Sequence, residues 1–399
     1  MKNSIYSIAL LLSVCMAISS CHHNTRSSDG SLLVPMRESI EKNSPISLKD
    51  DVAEVEYVSL ETTDSCLISN ILSLQVSKDY IFVYNGKTNQ VLQFGRDGHF
   101  IRTIGRAGSG PGEYTNVNEI YADSQRSELY IFPSGRKAPL IYSFDGAFLR
   151  QDSTLQGAGG ICLLPDGKAA LKGLVMTPIQ QAPWLVALRG ADGKLLASRN
   201  PYPKSLNPDV CYMRGINFVP SSNSVLAFTP CNDTIFRVTS SGISAACILQ
   251  RDNEKSYYTG VADISRLQDD KIESITTIGV YDFFETAHYF YFRVHKGVDL
   301  FVMRLDKTSG EMLSHHVPQD FQDCSRAIPG NNVVGLENDL DQGAPFWPEF
   351  DAGTNMRAQV ITADEIASLQ SKGYLKNMPQ ALNIKPESNP VIAIYSFKQ

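Results

Sequence analysis

The chemically suggestive residues are few and scattered, and the densest run is Gly105-Arg106-Ala107-Gly108-Ser109-Gly110-Pro111-Gly112-Glu113-Tyr114. Glycines at this density let backbone N–H groups wrap a phosphate. A nucleotide loop, however, must open a helix whose N-terminus meets the anion. Here Pro111 and Gly112 lead into another extended segment, so the run reads as a connector between two strands. Seven histidines are present. His22 and His23 lie near the N-terminus and His99 at a hairpin tip. His288 shares strand parity with Phe290, Phe292 and Val294, which places it on an apolar face, whereas His295 has the opposite parity. Side chains on opposite faces of one strand cannot share a metal, and adjacent His315 and His316 point apart if extended. No metal site is expected. No GxSxG nucleophile elbow occurs, no CxxC pair suggests zinc or redox chemistry, and no motif calls for a cofactor.

The N-terminus carries different chemistry. An apolar run from Ile5 to Ile18 follows Lys2 and is fourteen residues long; a membrane-spanning helix needs about 20. This is the hydrophobic region of an export signal. It ends in Ile18-Ser19-Ser20-Cys21, which resembles a bacterial lipobox. That cleavage requires small residues before a cysteine whose thiol takes the lipid as a thioether. Residues 1–20 are therefore read as a lipoprotein signal peptide and Cys21 as the lipid attachment site, giving a membrane partner through several acyl chains. Residues 21–50, polar and irregular, are expected to form a flexible tether. The segment after Cys21 lacks an acidic run, which favours the periplasmic side of the outer membrane over the cell surface. Cys66, Cys162, Cys211, Cys231, Cys247 and Cys324 remain. Most are expected to be buried thiols, with Cys211–Cys231 open as a disulfide in an oxidising compartment. A net charge of −6 gives a nucleic-acid partner no electrostatic support.

The elements that position these residues are strands. Ala53–Leu60 alternates, and from Ile71 onward short strands are broken by turn residues. One unit reads Ile71–Val76, Tyr80–Tyr84, Val91–Phe94, a turn at Asp97-Gly98, then Phe100–Ile104. The next repeats it: Glu119–Ala122, Leu129–Phe132, Leu140–Phe144, a turn at Asp145-Gly146, then Ala147–Arg150. Equivalent turns follow at Asp192-Gly193, Ser241-Gly242 and Ser309-Gly310, with glycine spacings of 48, 47, 49 and 68 residues. A charged insertion from Arg251 to about Thr277 accounts for the long interval. Four short strands about every 50 residues mark a propeller blade. The last unit offers Ala327–Leu336 and Met356–Ile361 as strands, then a helix from Thr362 to near Gly373. It ends at Asn389–Phe397, which matches a third strand and leaves no fourth. The spare strand Ala53–Leu60 supplies it. The expected fold over residues 51–399 is an all-β, six-bladed β-propeller, closed by pairing of the N-terminal strand with the C-terminal one.

Four segments, EVEYVSLET (54–62), GRAGSGPGEY (105–114), DFFE (282–285) and NPVIAIYSF (389–397), resemble the "6-bladed beta-propeller" lipoproteins of Gram-negative bacteria, relatives of NHL-repeat propellers. The resemblance implies fold and extracytoplasmic location, with no catalytic residues to transfer.

In such a fold the inter-blade connectors end near the mouth of the central channel, which makes Arg106, Glu113 and Tyr114 ligand-binding candidates. The loops between second and third strands share that face and carry Lys87, Arg136, Lys137 and His295 with Lys296. Against an acidic chain these cations suggest an anionic or polar ligand, a glycan or peptide, with Trp184 and Trp347 as stacking surfaces. Charge reversal at Arg136 and Lys137 should then weaken capture. The function expected is a non-enzymatic binding or scaffold module for a glycan, peptide or protein. A hydrolase or lyase centred in the channel and a sensor working through protein contacts are the alternatives. Converging acidic or His side chains on a metal would favour the first alternative, and an exposed apolar rim the second.

Overall fold

The computed structural model describes residues 26–134, 138–173, 184–200, 216–221, 223–229, 232–251, 278–296, 299–317, 335–375, 377, 382 and 384–399. Along the chain, strand β1 (Leu32–Val34), a short helix α1 (Met36–Ser39) and 3-10 turns at Ile40–Lys42 and Leu48–Asp50 precede β2 (Val52–Ser59). Blade one follows as β3 (Ile71–Val76), β4 (Tyr80–Asn85), β5 (Gln90–Gly95) and β6 (Phe100–Ile104). Blade two comprises β7 (Val117–Asp123), β8 (Glu128–Pro133), β9 (Leu140–Ser143) and β10 (Phe148–Gln151). Blade three comprises β11 (Ala158–Leu163), β12 (Ala169–Gly173), β13 (Val186–Arg189) and β14 (Leu195–Arg199). Blade four holds β15 (Asn217–Ser221), β16 (Ser224–Phe228), β17 (Thr234–Thr239) and β18 (Gly242–Leu249). Blade five holds β19 (Ile278–Glu285), β20 (Tyr289–Lys296), β21 (Asp299–Asp306) and β22 (Met312–His316). The chain finishes with β23 (Phe350–Asp351), β24 (Met356–Ile361), helix α2 (Ala363–Ser371) and β25 (Val391–Phe397).

These strands form six sheets. Five are up-and-down meanders; the sixth has the order β2-β25-β24-β23, so the N-terminal strand is the outer strand of the last blade. The pairing is antiparallel, from Val52↔Phe397 to Ser59↔Val391. It satisfies an edge that would otherwise be open and makes the ring continuous. Middle strands such as β4 and β9 are buried almost throughout, because each blade packs both faces against neighbours. The hairpin glycines sit at positive φ as the turns require: Gly98 at +87°, Gly146 at +86°, Gly193 at +83° and Gly310 at +75°.

Three expectations are corrected. The stretch to residue 50 is not a free tether over its described part. Strand β1 adds in parallel to the outer strand of blade four, pairing Leu32↔Cys247 to Val34↔Leu249. Ser44 N then donates to Ser314 O of β22 at 2.6 Å, and the chain enters β2 of blade six. Val34, Met36, Ile40 and Leu48 are at most 1% exposed. Few apolar residues among many polar ones hide a strap that crosses blades four, five and six. Secondly, the described end of the expected strand Ala327–Leu336 is not paired in the sheet of blade six. Leu336 makes only an isolated bridge to Phe346, and the inner strand is β23; residues 327–334 lie outside the described residues. Thirdly, His288 lies exposed in the turn before β20, not on an apolar strand face.

Helix α2 begins as expected. Thr362 N donates to Glu365 Oε2 at 2.8 Å and Glu365 N to Thr362 Oγ1 at 3.3 Å, a complete capping box. Cys66, Cys162 and Cys247 are buried free thiols. Cys21, Cys211, Cys231 and Cys324 lie outside the described residues, as does the charged insertion from residue 252. Among the described residues no helix is long and apolar enough to cross a membrane.

Candidate functional site

A cavity of about 630 Å³ opens where blade six meets blade one. The connector into β3 (Leu67–Asn70), the inner strand region of blade six (Trp347, Glu349, Phe350) and the start of α2 form its walls. Glu349, Asp364, Glu365 and Glu387 contribute four carboxyl groups, and among the described residues no Lys, Arg or His lines it. Leu67, half exposed, adds an apolar margin.

The floor is built by a chain of contacts from blades five and six. Arg357 on β24 donates from Nε to Pro348 O and from Nη2 to Glu349 O, both at 2.9 Å, and so fixes the backbone that presents Glu349. Its guanidinium lies 5.1 Å from the centre of the Phe284 ring. Trp347 N donates to Gln359 Oε1 at 3.0 Å, and Gln359 Nε2 to Pro345 O at 2.8 Å. Trp347 Nε1 donates to Asp282 Oδ2 at 3.0 Å, tying the connector to the inner strand of blade five. Arg293 on β20 covers the Trp347 ring at 5.2 Å and reaches Glu349 Oε1 at only 3.5 Å.

The electrostatics follow. Burial pushes the Glu349 carboxyl above its ordinary value; Arg293 opposes this, while Asp282 and Glu365 add to it. Burial also pushes Asp351, next along the inner strand, up to about 6, partly offset by Arg357. Arg357 is itself lowered by burial, against the pull of Asp282, Asp351 and Glu349. A cavity with excess carboxyl groups around an incompletely neutralised Glu349 favours a ligand that brings positive charge or hydroxyl donors.

The residues singled out in the sequence do not converge here. Arg106 and Glu113 pair with each other at 2.5 Å, and Glu113 Oε2 also accepts from Gly110 N at 2.8 Å. That second bond and Arg106 hold the Glu113 carboxyl below its usual range. Tyr114 is fully buried: its hydroxyl donates to Ile104 O at 2.6 Å and accepts from Val91 N at 3.0 Å. The Gly-rich run is thus a strand-to-strand connector held by its own side chains, and Tyr114 is a structural anchor in place of a ligand contact. Lys87 is exposed on its loop, whereas His295 is 6% exposed and faces the fold. Trp184 and Trp347 are buried at 8% and 2%, so neither offers a stacking face to solvent. Trp347 does line the cavity. Arg136, Lys137 and Cys21 lie outside the described residues. Glu349, Asp364 and Glu387 escaped the sequence reading because they sit in three separated segments, before β23, in the first turn of α2 and before β25, with no common spacing. Among the described residues no group of three or more His, Cys, Asp or Glu could hold a metal ion.

Comparison with known proteins adds fold and family. A crystal structure described as a "Putative exported protein" of Bacteroides fragilis NCTC 9343 superposes with a TM-score of 0.65 at 17% identity, covering 92% of this chain and all of the other. A member of the DUF4221 family from Bacteroides vulgatus ATCC 8482 gives 0.50 at 9% identity, covering 87% and 97%. At these identities the likeness is one of fold. No curated protein matches the sequence. The model for a domain of unknown function, DUF4934, matches residues 32–396, from the first strand of the strap to the closing strand, and the chain belongs to that family.

Proposed function

We propose that this protein is a lipid-anchored, extracytoplasmic binding module whose ligand enters the carboxyl-lined cavity between blades six and one. The lipobox-like Ile18–Cys21 and the exported description of the similar Bacteroides fragilis protein support the location. The cavity carries the binding reading: among the described residues four carboxyl groups and no cation line it, and Glu349 meets Arg293 at 3.5 Å. The occupant is a cationic or hydroxyl-rich group on a peptide or glycan. This reverses the ligand charge inferred from the loop cations.

The test is binding of the mature chain to an array of lysine- and arginine-bearing peptides and neutral oligosaccharides. Asp364→Asn and Glu387→Gln change exposed carboxylates without touching the core. Each should weaken capture of a hit by roughly three- to tenfold. Hits that bind both variants as tightly as the parent would place the ligand elsewhere.

A second reading, protein docking on the rim, is favoured by a separate observation. Phe148, Leu149, Leu195 and Leu196, on the outer strands of blades two and three, are 43–51% exposed. The equivalent Met312 of blade five, in the core cluster that the strap joins, is 5% exposed. Photo-crosslinkers at 149 and 196 should trap a protein in envelope membranes; recovery of monomer alone would count against it.

A further inference from the structure

We propose that Asp51 is a proton-controlled latch, which seats the N-terminal strap on blade five when its carboxyl is neutral and loosens it when the carboxyl ionises. Asp51 occupies the junction between the strap and the closing strand. Its backbone is held on both sides: Asp51 N donates to Leu48 O at 3.1 Å, and Lys398 N donates to Asp51 O at 2.7 Å. The residue is 0% exposed. It adjoins the core cluster of Leu48, Val52, Phe284, Tyr291 and Phe397.

The carboxyl is poorly provided with partners. Tyr291 donates to Oδ2 at 3.1 Å, while Oδ1 is buried and has no hydrogen-bond partner among the described residues. The charged and titratable groups around it come from four elements. Arg304 on β21 is engaged elsewhere: Nη2 donates to Asp50 Oδ2 at 2.8 Å, Nη1 donates to Ser47 O at 3.0 Å, and the guanidinium stacks over Tyr289 at 4.4 Å. His288 lies exposed in the turn before β20, beside Thr286. Lys398, beyond β25, donates from Nζ to Lys49 O at 2.6 Å. Asp50 adds a like charge on the strap itself. Tyr291 and Tyr289 complete the surroundings on β20. An ionised carboxylate there has the Tyr291 and Thr286 hydroxyls nearby as donors, and these do not offset the burial of a charge.

Burial accordingly raises the proton affinity of Asp51, against the opposing effects of Thr286, Tyr291, Arg304 and His288. An unfolded Asp titrates near about 3.9. Above that value and up to the raised folded value, the folded state binds the extra proton. Stability from this site therefore falls as pH rises through that window, and the loss persists above it. The segment nearest the charge yields first. Of the strap's remaining ion pairs, the surface pair Lys296–Glu41 with β20 contributes little, and Arg304–Asp50 with β21 joins a buried guanidinium to a half-exposed carboxylate.

Hydrogen exchange of the mature chain tests this, with rates corrected for intrinsic pH dependence. Peptides covering residues 32–51 should lose about tenfold in protection between pH 5 and pH 8, while peptides of blade one (71–104) stay constant. Asp51→Asn should abolish the difference and keep the strap protected at both values. Tyr291→Phe removes the donor to the ionised form, raises the proton affinity of Asp51 further and should move the loss of protection to higher pH, an independent arm if the first variant folds poorly. Equal strap protection at both pH values in the parent, or a pH dependence that survives in Asp51→Asn, overturns the proposal.

Discussion

Tyr114 shows how a residue picked for chemistry turns out to hold the frame. Its hydroxyl closes two buried hydrogen bonds between the connector and β5 and β6 of blade one. Tyr114→Phe leaves Val91 N and Ile104 O without that partner. It should lower unfolding free energy by about 1–3 kcal/mol in urea titrations; a loss under about 0.5 would mean that other groups or water replace it. Asp351 gives a prediction of opposite sign. Its carboxyl is lifted by burial to about 6 in the fold. Between its ordinary value and 6 the folded state binds more protons than the unfolded one, so stability falls as pH rises across that interval. Asp351→Asn should flatten this slope and raise the melting temperature at pH 7.5, with little change at pH 4. An unchanged pH–stability profile would show that Arg357 compensates the charge fully.

At the scale of elements, the repeated turn glycines were legible in the sequence because a tight hairpin demands φ > 0 there. What each glycine touches was not. A Cβ on Gly98 would meet Ser59 O at 2.1 Å, on the closing strand, whereas one on Gly146 finds nothing nearer than Arg102 Cδ at 3.3 Å. Both alanine variants carry the left-handed penalty of about 1–2 kcal/mol. Gly98→Ala adds a backbone clash at the seam and should melt clearly lower than Gly146→Ala in calorimetry. Equal melting temperatures would show that the seam yields at no cost. The strap was missed at this same scale. Residues 32–50 bury a few apolar side chains at irregular intervals, so neither period 2 nor period 3.6 announces them. Their partners, β18 and β22, lie more than 200 residues away.

For the whole molecule, the ring depends on pairing between residues 52–59 and 391–397. Removing residues up to 51 strips the strap and leaves the closing strand; removing residues up to 60 also exposes the edge of β25. The first truncation should still unfold in one cooperative transition, at lower temperature. The second should broaden the transition and promote association through the open edge. If both melt alike, closure by β2 adds nothing to the ring's stability.

The sequence by itself determined the six-bladed ring, the strand order within most blades and the closure between its ends. Those features follow from local periodicity and turn chemistry, repeated often enough to count. The expectations of an export signal and a lipidated cysteine likewise rest on linear segments, residues 5–18 and 18–21. Tertiary structure alone decided where the cavity lies and what charge lines it. Glu349, Asp364 and Glu387 are separated along the chain, and the folding of blade six gathers them opposite the Leu67–Ile71 segment that leads into blade one. It likewise decided that Tyr114, His295 and both tryptophans face inward. Parity tells which side of a strand a residue takes, but the stacking of blades determines whether that side meets solvent or another sheet.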